Sequence, residues 1–338
     1  MNLPESKHGP RNAASRSIEY AKNKLEETIK RGYGSSLYRD RWKTSGFVPD
    51  MFHSPDDLHL IPFITRKELF EATRNRRRTI CLAEISHWFA GYDQADTYEW
   101  FPYSAGDFLK IAPMLARMSE AVGLRCGDTV LAIVDVPPRI SSSIPYLWSQ
   151  SDSSNTHRLE FIIGAMDWYD TLGMTWMKFM QRRRPTVVFA STRNAQALAE
   201  KIQATMKTEA SNVLPETRIG IFYGKHLKTD ITKLLESYSL EPFEVYSPTE
   251  HMSFCTECGN HRGIHLWTDT CVPEIIVDGN DEAKPISEAA PGTEGQLVIT
   301  NFAECLPLVR YKTGKSIRVE GADQCACGHS DPRVTFLG

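Results

Sequence analysis

The sequence has no apolar run near the about 18 residues that a membrane-spanning helix requires. Its N-terminus is polar and lacks the apolar stretch of a secretion signal. There is no Gly-x-Ser-x-Gly elbow, no Walker loop and no dinucleotide fingerprint, so the common serine-hydrolase, P-loop and Rossmann chemistries find no motif here. No internal repeat or low-complexity segment is present. Excess positive charge is missing too. Lys and Arg number 39 against 42 Asp and Glu, a net charge of −3, which argues against general nucleic-acid binding. The basic runs Arg74-Asn75-Arg76-Arg77-Arg78 and Arg182-Arg183-Arg184 read as solvated faces or helix ends. Cysteine is sparse, 8 in 338 residues. Without a secretion signal, these thiols point to a reduced, cytoplasmic setting and to metal ligation, not disulfides.

Hydrophobic content of 41% and charged content of 24% are ordinary for a globular chain. Residues 1–14 are polar and read as a loose tail. A helix is expected over Ser15–Arg31, with Ile18, Leu25 and Ile29 on one side. Ser54-Pro55-Asp56-Asp57 reads as a helix start and Thr65-Arg66-Lys67-Glu68 as a capping box. The spacing predicts a long amphipathic helix over Ser104–Gly123. Strands are expected at 129–134, 159–164, 186–190, 218–222 and 243–246, with helices at 168–183, 194–207 and 227–238 between them. Residues 137–158 read as a loop rich in Pro, Ser and Asn. This alternation predicts a largely parallel, helix-covered sheet over 15–245. From 246 to 338 the strands at 274–277 and 295–300 suggest a smaller, mostly antiparallel β unit.

That last quarter carries two paired clusters of metal-ligating residues. Cys258-x-x-His261 is one and Cys325-x-Cys327-Gly328 the other. Four such donors fill a tetrahedral zinc shell, and Gly259 and Gly328 would let the backbone turn around the sulfurs. Cys258, His261, Cys325 and Cys327 are therefore the expected quartet for one structural zinc, with Cys255, His265 and His329 as alternative donors.

The same quarter resembles a known family. Tyr246-Ser247-Pro248-Thr249-Glu250 resembles the Tyr-Gly-x-Thr-Glu motif of adenylate-forming enzymes. Glu257-Cys258-x-x-His261-x-Gly263-Ile264-His265, Gly295 to Thr300, Leu306 to Gly314 and the closing Cys-x-Cys-Gly are similar to the phenylacetate–CoA ligase branch, in the same order. Leu37-Tyr38-Arg39 and Gly123 to Asp128 resemble its N-terminal region more loosely. The resemblance implies a layered α/β/α core with a small zinc-stapled β unit. It implies activation of a small aryl or acyl carboxylate by ATP and magnesium, commonly followed by transfer to coenzyme A. In that setting Glu250 would hold magnesium, Thr249 and Arg310 would contact phosphate, and Tyr246 would pack on adenine. Gly224 and Tyr311 would stand at the same nucleotide site.

The chain departs from the pattern at four places. His87 to Thr97 stands where a Gly/Ser/Thr-rich phosphate loop belongs, and Asp93 and Asp96 have entered it, next to a dense aromatic set from Trp88 to Tyr103. Lys315 replaces the carboxylate that should accept from the ribose; an ammonium has three donors and no acceptor. Phe222-Tyr223-Gly224-Lys225-His226 replaces the usual turn against the adenine. The family's C-terminal lid domain has no counterpart after Val334-Thr335-Phe336-Leu337-Gly338. Two readings follow: a divergent ligase, or an inactive relative that serves as a binding or structural subunit with a protein partner or as a homo-oligomer. Asp167, Trp168 and Asp170 read as a dipole-favoured first helical turn, and His87 and His157 as surface histidines.

Overall fold

The computed structural model describes residues 11–74, 83–92, 98–135, 140–149, 158–165, 179, 181–206, 214–224, 226–227, 229–237, 239–277, 279 and 281–337. Several expectations lie outside the described residues: Asp93 to Thr97, Arg76 to Arg78, His157, Lys225, the Asp167–Asp170 cluster, and most of the helix expected over 168–183.

Helices α1 (Arg11–Gly34) and α2 (Ser36–Ser45) lead the chain and bury Leu25, Ile29, Tyr38 and Trp42. Strand β1 (Ile64–Thr65) passes into α3 (Arg66–Arg74), and the Thr65 N–H donates to the Glu68 carboxylate at 2.8 Å, closing the expected capping box. The aromatic stretch forms an antiparallel ribbon, β2 (His87–Tyr92) and β3 (Tyr98–Tyr103). Its pleat separates two faces: paired Phe89 and Phe101 are buried, whereas Trp88 and Trp100 are half exposed. Helix α4 (Ala105–Ala121) starts at Ser104 with a capping box closed by buried Asp107. Asp107 also accepts from the N–H groups of Glu304, at 2.7 Å, and Cys305, at 3.1 Å, and so ties the helix start to a distant loop.

Strand β4 (Thr129–Val134) is followed by α5 (Ile140–Ser149), which corrects the loop expected over 137–158. Ser and Pro masked a helical spacing whose Ile144 and Trp148 are fully buried. Next come β5 (Glu160–Ala165), β6 (Val187–Ser191), α6 (Thr192–Met206), β7 (Ile219–Tyr223), α7 (Thr229–Ser237) and β8 (Glu241–Tyr246). The chain ends with β9 (Cys255–Thr256), β10 (Ile264–His265), β11 (Cys271–Val277), β12 (Ala283–Pro285), β13 (Glu294–Asn301), β14 (Tyr311–Gly321) and β15 (Arg333–Phe336).

Among the described residues one sheet runs β12-β11-β13-β14-β15-β10-β9-β8-β7-β6-β4-β5, with β1 pairing β14. The stretch β8-β7-β6-β4-β5 is parallel. Antiparallel β9 joins β8, so the last quarter continues the parallel sheet. Side chains of the parallel strands alternate between two cores. Val130, Ala132, Phe189 and Ile221 belong to a core that also takes in buried residues of α1, α2, α4 and α5. Leu131, Ile133, Val188 and Phe222 face α6 and α7. This is the layered α/β/α arrangement expected. A third cluster around Trp267, Ile275 and Leu297 fills the antiparallel end. Cys305 is disulfide-bonded, against the expectation of reduced thiols throughout.

Candidate functional site

The metal-ligating residues converge, with one exchange. Cys258, His265, Cys325 and Cys327 bring their donor atoms within 4.8 Å of one another. The Cys258 and Cys325 sulfurs are 3.8 Å apart, and Cys327 Sγ lies 3.5 Å from His265 Nε2. Pairing of β10 with β15, His265 opposite Arg333, carries the imidazole to the Cys325–Cys327 turn. Gly328 (φ +93°) makes that turn. Gly263 (φ +86°) has no room for a side chain, since a Cβ there would sit 2.9 Å from the Val334 carbonyl oxygen. Gly259, expected to turn around a sulfur, is not in the left-handed region. His261 does not join the cluster. Its backbone turns at φ +48°, and its Nε2 lies 3.0 Å from Glu241 Oε1. Hydrogen bonding to Glu257, and then to Glu241, raises its pKa to about 9. Cys255 is a core thiol, pushed to about 12 by burial. His329 packs edge-on against His265 outside the donor set.

The nucleotide candidates divide into two groups. Gly224 at the end of β7, Tyr246 at the end of β8 and Lys315 in β14 line one pocket of about 180 Å³, with Phe222, Glu244 and Phe336 among its walls. Phe336 stacks on Tyr246 with ring centroids 4.2 Å apart. The Tyr246 hydroxyl shares a hydrogen bond of 2.9 Å with His251 Nε2, and His251 Nδ1 is 3.0 Å from Ser253 Oγ. Burial lowers His251 to about 4, so the imidazole is neutral at physiological pH. Burial also raises the Tyr246 phenol well above its ordinary value, so this neutral chain fixes the ring as a wall and not as a base.

Glu250, Thr249, Arg310 and Tyr311 do not line that pocket. Arg310 is buried and paired with Glu274 at 3.1 and 3.2 Å, donates to the His59 and Ile61 carbonyls, and lies 4.1 Å from the Phe63 ring centroid. It braces β11 against the chain before β1 instead of facing outward. Glu250 accepts from Arg66 at 2.5 Å and from the Tyr311 hydroxyl at 3.3 Å. Thr249 is buried beneath the β2–β3 ribbon: its carbonyl accepts from the Tyr103 hydroxyl, and its own hydroxyl donates to the Ala90 carbonyl at 3.4 Å. Sequence reasoning missed Arg66, His251, Glu274 and Phe336. The Thr65–Glu68 box marked where α3 begins, yet no local pattern tells what its first side chain touches.

No model of a known protein family matches the chain. It is 23% identical over 300 residues to phenylacetate-coenzyme A ligase of Pseudomonas putida, spanning 86% of this chain and 64% of that protein. The Escherichia coli phenylacetate-coenzyme A ligase is 21% identical over 299 residues. The chain thus spans 64% of the length of these curated relatives. Among solved structures, 2-hydroxyisobutyryl-CoA ligase superposes with a TM-score of 0.77 at 20% identity, covering 98% of this chain and 73% of that one. The chain shares the fold of the matched 73% of that ligase. An acyl acid amido synthetase shares this ligase fold more distantly, with a TM-score of 0.65 at 12% identity over 100% of this chain and 72% of the other. The similarity to both phenylacetate-coenzyme A ligases agrees with the resemblance carried by the motifs from Tyr246 onward. No helix among the described residues is long and apolar enough to cross a membrane.

Proposed function

We propose that this chain is a divergent phenylacetate–CoA ligase-like protein that binds an adenine nucleotide and, beside it, a small aryl or acyl carboxylate. One observation carries the reading: Gly224, Tyr246 and Lys315, brought from three strands, meet at one pocket of about 180 Å³. Small-molecule sites commonly enclose about 300–1,000 Å³, so this pocket suits the base and leaves the phosphates outside. Tyr246 supplies a stacking wall and Gly224 (φ +114°) the turn. Lys315, all donor, cannot accept from a ribose hydroxyl as a carboxylate at that position would.

The test is calorimetric titration of metal-loaded protein with Mg-ATP, followed by a screen of aryl acids for pyrophosphate release. Micromolar to sub-millimolar binding with acid-dependent release supports the ligase. In Lys315→Asp, nucleotide binding should tighten by about tenfold, the scale of one charge-assisted hydrogen bond. Absence of heat at millimolar ATP from folded protein would end this reading. A second reading, binding without turnover as a subunit of a larger assembly, is favoured by the engagement of Arg310 with Glu274 and of Glu250 with Arg66. ATP binding without pyrophosphate release for any acid, together with a copurifying partner or a stable homo-oligomer, would select it.

The Cys/His cluster fits a structural zinc. With Zn–S near 2.3 Å and Zn–N near 2.0–2.1 Å, a tetrahedral shell sets S···S at about 3.8 Å and S···N at about 3.6 Å. The Cys258–Cys325 spacing of 3.8 Å and the Cys327–His265 spacing of 3.5 Å match these values, and all four donor atoms lie within 4.8 Å of one another. Three thiolates and one imidazole would close the shell, leave no position for water, and clamp the segments before β10 and β15.

A further inference from the structure

Glu250 is the one carboxylate that the ligase resemblance assigns to magnesium, and its surroundings do not fit that ion. The register of β1 on β14 sets Ile64 opposite Tyr311 and Thr65 opposite Lys312. Arg66, the first residue of α3, follows directly, and it and Tyr311 reach the same Glu250 carboxylate oxygen. Its Nη1 lies 2.5 Å from Glu250 Oε1, and the Tyr311 hydroxyl donates to the same oxygen from 3.3 Å. The face of Phe70 holds the guanidinium, whose Cζ is 4.7 Å from the ring centroid. The Glu250 side chain is only 5% exposed and that of Arg66 21%. Magnesium needs near-octahedral coordination at about 2.0–2.1 Å and keeps several of its waters. A carboxylate that already faces a guanidinium and a phenol, with almost no surface, offers neither the charge nor the space for such a hydrated ion.

We infer that Arg66 takes the place of a divalent cation at Glu250, so that nucleotide binding by this chain needs no magnesium. The nucleotide half of this statement rests on the function proposed above; the metal half does not. A guanidinium is always charged and carries five donors in a fixed plane. It neutralises Glu250 permanently, whereas an ion would come and go with its ligand.

Two measurements on the full-length, zinc-loaded chain test this. Manganese binding is followed by electron paramagnetic resonance in wild type, E250Q, R66Q and R66Q/E250Q, with R66K as the charge-keeping control. Wild type, E250Q and R66K should be indistinguishable. R66Q should gain a manganese site that the double variant loses. A wild-type site that disappears in E250Q overturns the inference, and so does a folded R66Q that gains none. Should R66Q fail to fold, wild type against E250Q decides. ATP affinity is measured in parallel in magnesium-free buffer and with excess magnesium. Values within about threefold support the inference, and a loss of tenfold or more without magnesium overturns it. No binding in either buffer refutes the nucleotide reading instead, and the manganese comparison alone then decides whether Arg66 stands in for a cation.

Discussion

Two corners of the same sheet treat their polar side chains in opposite ways. Around β10 and β15, three sulfurs and an imidazole gather with their donor atoms within 4.8 Å of one another. Around β1 and β14, acid and base are paired off within the protein: Glu250 with Arg66, Glu274 with Arg310. The first corner gathers donors that suit an ion from outside. The second supplies its own counter-charges. A buried charge must be paired, so keeping a residue type does not keep its availability. Glu250 and Arg310 stand where the ligase motifs put them, yet each is engaged by a neighbour that no motif names.

This contrast can be broken or sharpened by substitution. The largest effect is expected at the metal corner. Cys325→Ser and His265→Asn should each abolish stoichiometric zinc, read by atomic emission, and cost several kcal/mol of stability, short of the about 10–16 kcal/mol bound for isolated zinc fingers. Retention of zinc by both variants would collapse the comparison. Next, Arg310→Met should cost about 3–5 kcal/mol in urea unfolding, because it strands the buried Glu274 carboxylate. Arg310→Met with Glu274→Met should recover much of that loss. An Arg310→Met protein of unchanged stability that no longer binds ATP would return Arg310 to the phosphate role.

The third test uses pH. Burial holds folded His251 at about 4 against an ordinary 6.5. Between those values the unfolded chain binds a proton that the folded chain refuses, so stability falls as pH drops from about 6.5 to 4. The His251 share of that fall is about 3 kcal/mol. His251→Phe should lose this share, giving a shallower slope of urea midpoints against pH; an unchanged slope would mean that the imidazole charges inside the fold. The smallest effect belongs to His261→Asn. Its ring is 40% exposed, and exposed ion pairs contribute about 0.2–1 kcal/mol. Zinc content should stay at the wild-type value; a drop would restore His261 to the donor set.

The parallel core was legible because strands such as Thr129–Val134 are continuous β-branched and apolar runs bounded by helical spacing, a signal that needs no partner to be read. The helix at Ile140–Ser149 was not, since its serines and Pro145 mimic loop composition while burial of Ile144 and Trp148 decides its state. Of the quartet expected from the sequence, the three thiols gather with His265, and His261 lies outside the cluster. His261 and His265 follow Cys258 at equally plausible spacings, and only the β10–β15 register together with the left-handed turn at His261 separates them. Arg66 and Glu250 are 184 positions apart, so their pairing is a property of the β1–β14 register and leaves no trace in either neighbourhood.

The sharing of two short strands has a practical side. β10 presents His265 to the sulfurs and Ile264 to the 180 Å³ pocket, and β15, which follows the Cys325–Cys327 turn, ends in the Phe336 ring that stacks on Tyr246. With the zinc proposed above in place, a preparation stripped of metal by a chelator or an affinity resin would therefore have lost the anchor of a pocket wall as well as an ion. Any ligand screen on this protein is only as informative as the metal analysis of the same batch, and a blank result from stripped protein would describe the purification.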